Sequence, residues 1–185
     1  MRQIKTKQEI KKKSKKNQII VSIILVSLLV LSYLGYSLSS RANEENTNSV
    51  NYNNLEFIRS SGFWLLQIQD KLFYFQYLPE ETINVSISTN LTLENYYNKP
   101  LYFVNSNPGA GEILNNLKDF VSRYQEACKN NTECVGDLPV KTCEDNLIIF
   151  IEGKDLVYQD QNCIYVSGNS ILSADAFVYK LFEII

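Results

Sequence analysis

Residues Ile19 to Leu38 contain no acidic or basic side chain, and a lysine-rich head leads directly into them. A helix rises 1.5 Å per residue, so a stretch of this length can span the roughly 30 Å hydrocarbon core of a bilayer. Its serines Ser22, Ser27 and Ser32 are tolerated there, because a serine hydroxyl can bond back to its own helix. Tyr33 and Tyr36 sit near the outer end, where an aromatic ring with a polar tip suits the headgroup region. The sequence therefore predicts a transmembrane helix over 18–38 that acts as a signal anchor.

The charges on either side give the direction. Arg2, Lys5, Lys7, Lys11, Lys12, Lys13, Lys15 and Lys16 precede the span against the single acid Glu9, whereas Arg41, Glu44 and Glu45 follow it. Basic residues resist translocation, which predicts a cytoplasmic head over 1–17 and an exported C-terminal domain. The same lysines can lie on anionic lipid, so membrane lipid is the expected partner of the head and helix. No aromatic residue is interleaved with them to stack on bases, and nucleic acid is not expected as a partner.

Two other fates compete with a retained anchor. Ser37-Leu38-Ser39 and Ser40-Arg41-Ala42 would serve as signal-peptidase sites, but the apolar region exceeds the usual 7–15 residues. A pilin-like filament leader would carry a Gly before its cut and a Glu just after it, and both are missing.

After Lys16 there are ten basic and nineteen acidic residues, a net charge of −9. Such an exterior stays soluble and repels anionic polymers. Residues 39–54 are polar and read as a stalk. Residues 55–185 are long enough for one domain with its own core. Histidine is absent throughout, which removes Ser-His-Asp and Cys-His catalysis and histidine metal sites.

Phe63–Ile68 and Leu72–Leu78 flank Gln69-Asp70-Lys71 and predict a hairpin with two apolar faces. Such a hairpin is either covered on both sides or carries a contact surface, with Trp64, Phe73, Phe75 and Tyr77 as candidate anchors. Thr82–Ser88 alternates, predicting a strand with Ile83, Val85 and Ile87 on one face. Leu101–Val104 is a further short strand.

Ile113, Leu114, Leu117, Phe120, Val121, Tyr124 and Ala127 follow a helical period after Asn107-Pro108-Gly109. Gly109-Ala110-Gly111 echoes a dinucleotide fingerprint only faintly, because Leu114 stands at the third glycine position. Residues 146–151, 156–158 and 163–166 predict a three-stranded meander. Ser173 is expected to cap a last helix with Asp175 in its first turn. The fold class expected is α+β, with an antiparallel or mixed sheet and two packed helices.

Cys128, Cys134, Cys143 and Cys163 all follow the span, and an even count in an oxidising compartment predicts two disulfides. The favoured pairing is Cys128–Cys134 with Cys143–Cys163. The second bridge would reach across the roughly 10 Å between the outer strands of the meander. A four-cysteine zinc site would need a closer pair, and no Cys-x-x-Cys exists for thiol redox chemistry. No metal or cofactor is expected.

Asn84, Asn90 and Asn130 head glycosylation triplets. The acids Glu80, Glu81, Asp119, Asp137, Glu144, Asp145, Asp155 and Asp160 are scattered, with no EF-hand spacing, and read as solvated surface. Two of them converging in a cleft would instead make a carboxylate-dependent hydrolase.

Cys134, Leu138-Pro139-Val140-Lys141-Thr142-Cys143, Asp145-Asn146, Asn162-Cys163-Ile164 and Ala174-Asp175-Ala176-Phe177-Val178-Tyr179 resemble uncharacterised single-pass archaeal membrane proteins. The resemblance covers about the last third of the chain and implies a membrane-anchored protein but no activity. The expectation is a non-enzymatic, membrane-anchored extracytoplasmic module that binds an envelope protein or a surface polymer.

Overall fold

Period-2 apolar patterning and tight polar turns organise most of the C-terminal region. In this computed structural model, residues 20–32, 49–129, 134 and 136–185 are described. The chain divides into two units, Met1–Thr47 and Asn48–Ile185.

In the first unit, 20–32 form helix α1, and Ser27 Oγ donates to the Ile24 carbonyl at 2.8 Å. That is the back-bonding expected of a serine in an apolar helix. The basic head, both tyrosines and most of the stalk lie outside the described residues. No helix among the described residues is long and apolar enough to cross a membrane.

The second unit opens with an antiparallel sheet of β1 (Ser49–Tyr52), β2 (Leu55–Ser60), β3 (Phe63–Ile68) and β4 (Lys71–Phe75), in chain order. Strand β1 begins inside the segment read as stalk, and β2 was not anticipated. Asn53 and Asn54 between them both take positive φ, as do Ser61 and Gly62 between β2 and β3. A two-residue turn with both φ positive matches the twist of the strands that it joins.

A six-stranded mixed sheet follows. It comprises β5 (Ser86–Ser88), β6 (Pro100–Val104), β7 (Arg123–Glu126), β10 (Asn146–Ile151), β11 (Leu156–Asp160) and β12 (Cys163–Ser167), in the order β5-β11-β12-β10-β6-β7. Helices α2 (Pro108–Leu117) and α3 (Ser170–Leu181) pack on each other and against both sheets. A two-stranded ladder of β8 (Cys128–Lys129) and β9 (Val140–Lys141) completes the unit.

The apolar run of β10 has a simple cause, since both of its faces are buried. Ile148 and Phe150 join the main core beneath the helices with Leu101, Phe103, Ile164 and Val166. Leu147 and Ile149 face the other way, with Tyr102, Val104 and Cys163.

Four local expectations are corrected. The helix from Ile113 stops at Leu117, and Arg123–Glu126 becomes an exposed edge strand parallel to β6. Phe120 keeps the helical period only because its turn folds back onto the core, held by Asn98 N–H donating to the Phe120 carbonyl at 2.7 Å. Residues Pro79–Thr82 form one 3-10 turn and only Ser86–Ser88 are strand, so Ile83 is 80% exposed rather than on a buried face.

The meander is not one. β12 inserts between β11 and β10, antiparallel to the first and parallel to the second. The last helix starts at Ser170 on an Asn169 cap, so Ser173 and Asp175 lie within the helix and are fully buried.

Candidate functional site

The β3–β4 turn places Lys71 at the head of a strand whose inward face continues through Phe73 and Phe75. Phe120, from the turn after α2, and Phe182, at the end of α3, close around Phe73. The ring centroids lie 4.7 Å apart for Phe73–Phe182 and 6.2 Å for both Phe73–Phe120 and Phe120–Phe182. The ammonium of Lys71 sits 3.8 Å from the Phe120 centroid, close enough for a cation–π contact.

Beside this cluster opens a groove of about 530 Å³, within the size range of small-ligand sites. Phe120, Phe182 and Leu93 give it an apolar floor, and Lys71, Glu94 and Glu183 stand at its mouth. The one ion pair among the described residues joins Lys141 to Asp145 at 3.1 Å, so neither glutamate has a cationic partner there.

The four hairpin aromatics do not form a common surface. Phe73 and Phe75 are core residues, with Phe75 stacked on Tyr179 at 4.2 Å. Trp64 is half-buried on the same side of the sheet beneath Arg59, at 4.8 Å, and Tyr77 is half-buried at the strand end. The reason is register: Trp64 pairs with Phe75 and Leu66 with Phe73, so these residues share the face that packs on the helices. The opposite face carries a partly exposed row, Ile58, Leu65 and Tyr74, beside Leu72.

The structure also brings together two carboxyls that the sequence reading missed as a pair. Glu112 on α2 and Asp175 on α3 are both buried and lie within hydrogen-bonding reach of each other. Asp175 Oδ2 accepts from the backbone N–H groups of Gln76 and Tyr77, each at 2.9 Å, and Glu112 Oε2 accepts from Gln76 Nε2 at 3.1 Å. One turn along α2, Asn116 donates to the Tyr74 carbonyl at 2.7 Å and accepts from its N–H at 2.8 Å.

Asp175 and Asn116 act as a substitute strand along the free edge of β4 and the residues after it, satisfying backbone groups that would otherwise be unpaired, while Glu112 holds the Gln76 side chain. Oε1 of Glu112 and Oδ1 of Asp175 have no hydrogen-bond donor. Burial, then the neighbouring Glu112 charge, push Asp175 up to about 9, and burial pushes Glu112 up as well. The buried pair is therefore pushed toward holding a proton, which supplies a donor that it otherwise lacks. Neither carboxyl lines the groove.

On the far face of the mixed sheet, Tyr102 Oη accepts from Arg123 Nη2 at 2.8 Å, and Lys141 lies 4.3 Å from the ring centroid. Burial acts to raise this phenol. The hydrogen bonds and charges of Lys141 and Arg123 outweigh it and hold Tyr102 below the ordinary tyrosine range. Nearby, Lys129 donates to Tyr165, which stacks on Tyr158 at 4.6 Å.

Both disulfides form as expected, Cys128–Cys134 and Cys143–Cys163. The second needs no reach across a strand, because β10 and β12 are neighbours and Cys163 sits opposite Leu147, with a Cα–Cα distance of 4.9 Å. Disulfides persist in oxidising compartments, so the two bridges point to an extracytoplasmic location for this unit.

No cluster suited to a metal ion occurs among the described residues. Asn84 and Asn90 are exposed, and Asn130 lies outside the described residues. Three of the scattered acids serve locally: Glu81 accepts from the Leu78 N–H, Asp155 from the Asn169 N–H, and Asp145 pairs with Lys141.

The unit is thus a disulfide-stapled α+β domain with an aromatic groove and a buried acidic clasp. No family model, curated protein or solved structure matches the chain.

Proposed function

We propose that the chain is a membrane-anchored protein whose folded unit stands outside the cytoplasm and works as a non-catalytic binding module of the cell envelope. The observation that carries this reading is the pair of disulfides in a unit that follows a basic head and an apolar stretch. The stretch supplies the anchor and the head its orientation. The groove at the β3–β4 turn is the binding site of this reading. The paired carboxyls support it too, since they are engaged in closing the β4 edge and do not flank an open cleft.

Protease added to intact cells of the native host tests the compartment. Degradation of the 48–185 unit with survival of the head supports export, and cleavage only after lysis overturns it. Intact-mass measurement of the purified protein shows whether the lysine head is retained, as an anchor requires.

A further inference from the structure

The groove at the β3–β4 turn collects negative potential around an aromatic floor. Glu94 and Glu183 stand at its mouth without cationic partners among the described residues. Its wall includes Leu181, where α3 ends. The chain beyond the lysine head carries a net charge of −9.

One cation already uses this site. Lys71 is exposed, forms no ion pair among the described residues, and rests on the Phe120 ring through a flexible four-carbon stem.

We propose that the groove receives a lysine or arginine side chain of a partner protein, which takes the place of Lys71 over the Phe120 ring. The apolar stem of the incoming residue suits Leu93 and Phe182, and its charge suits the ring face and the two glutamates. Lys71 is then an internal stand-in: it shields the ring while the site is empty and returns to water when the site fills. An acidic ligand would meet like charge, and a neutral apolar one would leave Glu94 and Glu183 without compensation.

This inference rests on the binding-module reading but not on its membrane placement, so it is tested on the purified full chain in detergent micelles. The probes are end-blocked tripeptides of lysine, arginine or norleucine, followed by NMR of labelled phenylalanine rings. Lysine and arginine peptides are expected to shift Phe120 and Phe182 saturably, with norleucine severalfold weaker. Added salt should weaken the cationic peptides.

Lys71→Ala should bind the lysine peptide severalfold more tightly, because the internal competitor is gone. Glu94→Gln combined with Glu183→Gln should bind it more weakly. Norleucine binding as well as lysine overturns the cation assignment and leaves a binding module standing. Weaker binding by Lys71→Ala, or no saturable shift with any peptide, overturns the inference, while the protease experiment still decides the compartment.

Discussion

Raising the pH should loosen this domain from within, at the carboxyl clasp. An unfolded chain releases the Asp175 proton near the ordinary value of 3.8, whereas the folded chain holds it up to about 9. The cause is burial first and the Glu112 charge second, opposed by the Tyr77 and Gln76 N–H groups. Between those limits the folded state binds one proton more than the unfolded state. The pair's stabilisation is therefore complete below about pH 4 and is lost as pH rises toward 9, at about 1.4 kcal/mol per pH unit. From pH 5 to pH 8 the loss is about 4 kcal/mol, against a total of about 5–15 kcal/mol for an ordinary domain. Glu112 is pushed in the same direction and adds to the slope with the same sign.

Urea titrations of the disulfide-intact protein across this range read the effect as a falling midpoint at constant slope. Asp175→Asn is the discriminating variant. Its amide oxygen still accepts from Gln76 and Tyr77, and its NH2 donates to Glu112 without titrating. It should show a much flatter pH profile and outlast the parent at pH 8. Asp175→Ala, which strips two part-buried N–H groups of their acceptor, should instead cost about 2 kcal/mol at every pH. A parent midpoint that does not change between pH 5 and 8, or a parental slope surviving in Asp175→Asn, would refute the reasoning.

Three further outcomes follow from the packing. Gly109→Ala would bring a Cβ within 2.5 Å of the Ser170 carbonyl oxygen and 2.9 Å of the Phe150 ring. Because a backbone carbonyl cannot swing aside, thermal unfolding should show a loss of about 1–3 kcal/mol. Asn116→Leu leaves the Tyr74 N–H and carbonyl unpaired at the β4 edge, and hydrogen exchange at Tyr74 should accelerate with a stability loss of about 2 kcal/mol. Replacing both Cys143 and Cys163 by serine opens a loop of sequence separation 20, and chemical denaturation should register a loss of about 3 kcal/mol.

Legibility followed locality. Asn107 does start α2, accepting from Gly109 N–H at 3.0 Å, and the β3–β4 hairpin and the run at β10 sit where the apolar patterning puts them. The signals for β1 and β2 were also present: Asn53-Asn54 and Ser61-Gly62 are turn pairs, and Leu55 and Phe57 alternate with polar neighbours. They were obscured by the asparagine-rich composition around them.

The false extension of α2 had the opposite cause. Phe120 and Val121 pack on the main core and Ala127 on the cluster of the other sheet face, and their spacing mimics one helical face by coincidence.

The groove could not be read at all, because Phe73, Phe120 and Phe182 come from three separate elements. Glu112 and Asp175 were equally hidden. Each looks like an ordinary helical acid until the two helices and the β4 edge are brought together.

Taken alone, the order of residues determined which stretches are apolar, where turns permit a reversal, how many sulfurs are available and how charge is divided between head and remainder. Those properties belong to single residues or near neighbours. Tertiary structure decided that β12 lies between β10 and β11, which brings Cys143 beside Cys163. It also decided that Trp64, Phe73 and Phe75 face inward and that two acids meet against a strand edge. A hydrophobic pattern states that a surface must be covered; only the packed chain determines what covers it, and burial changes the charge that an acid can carry.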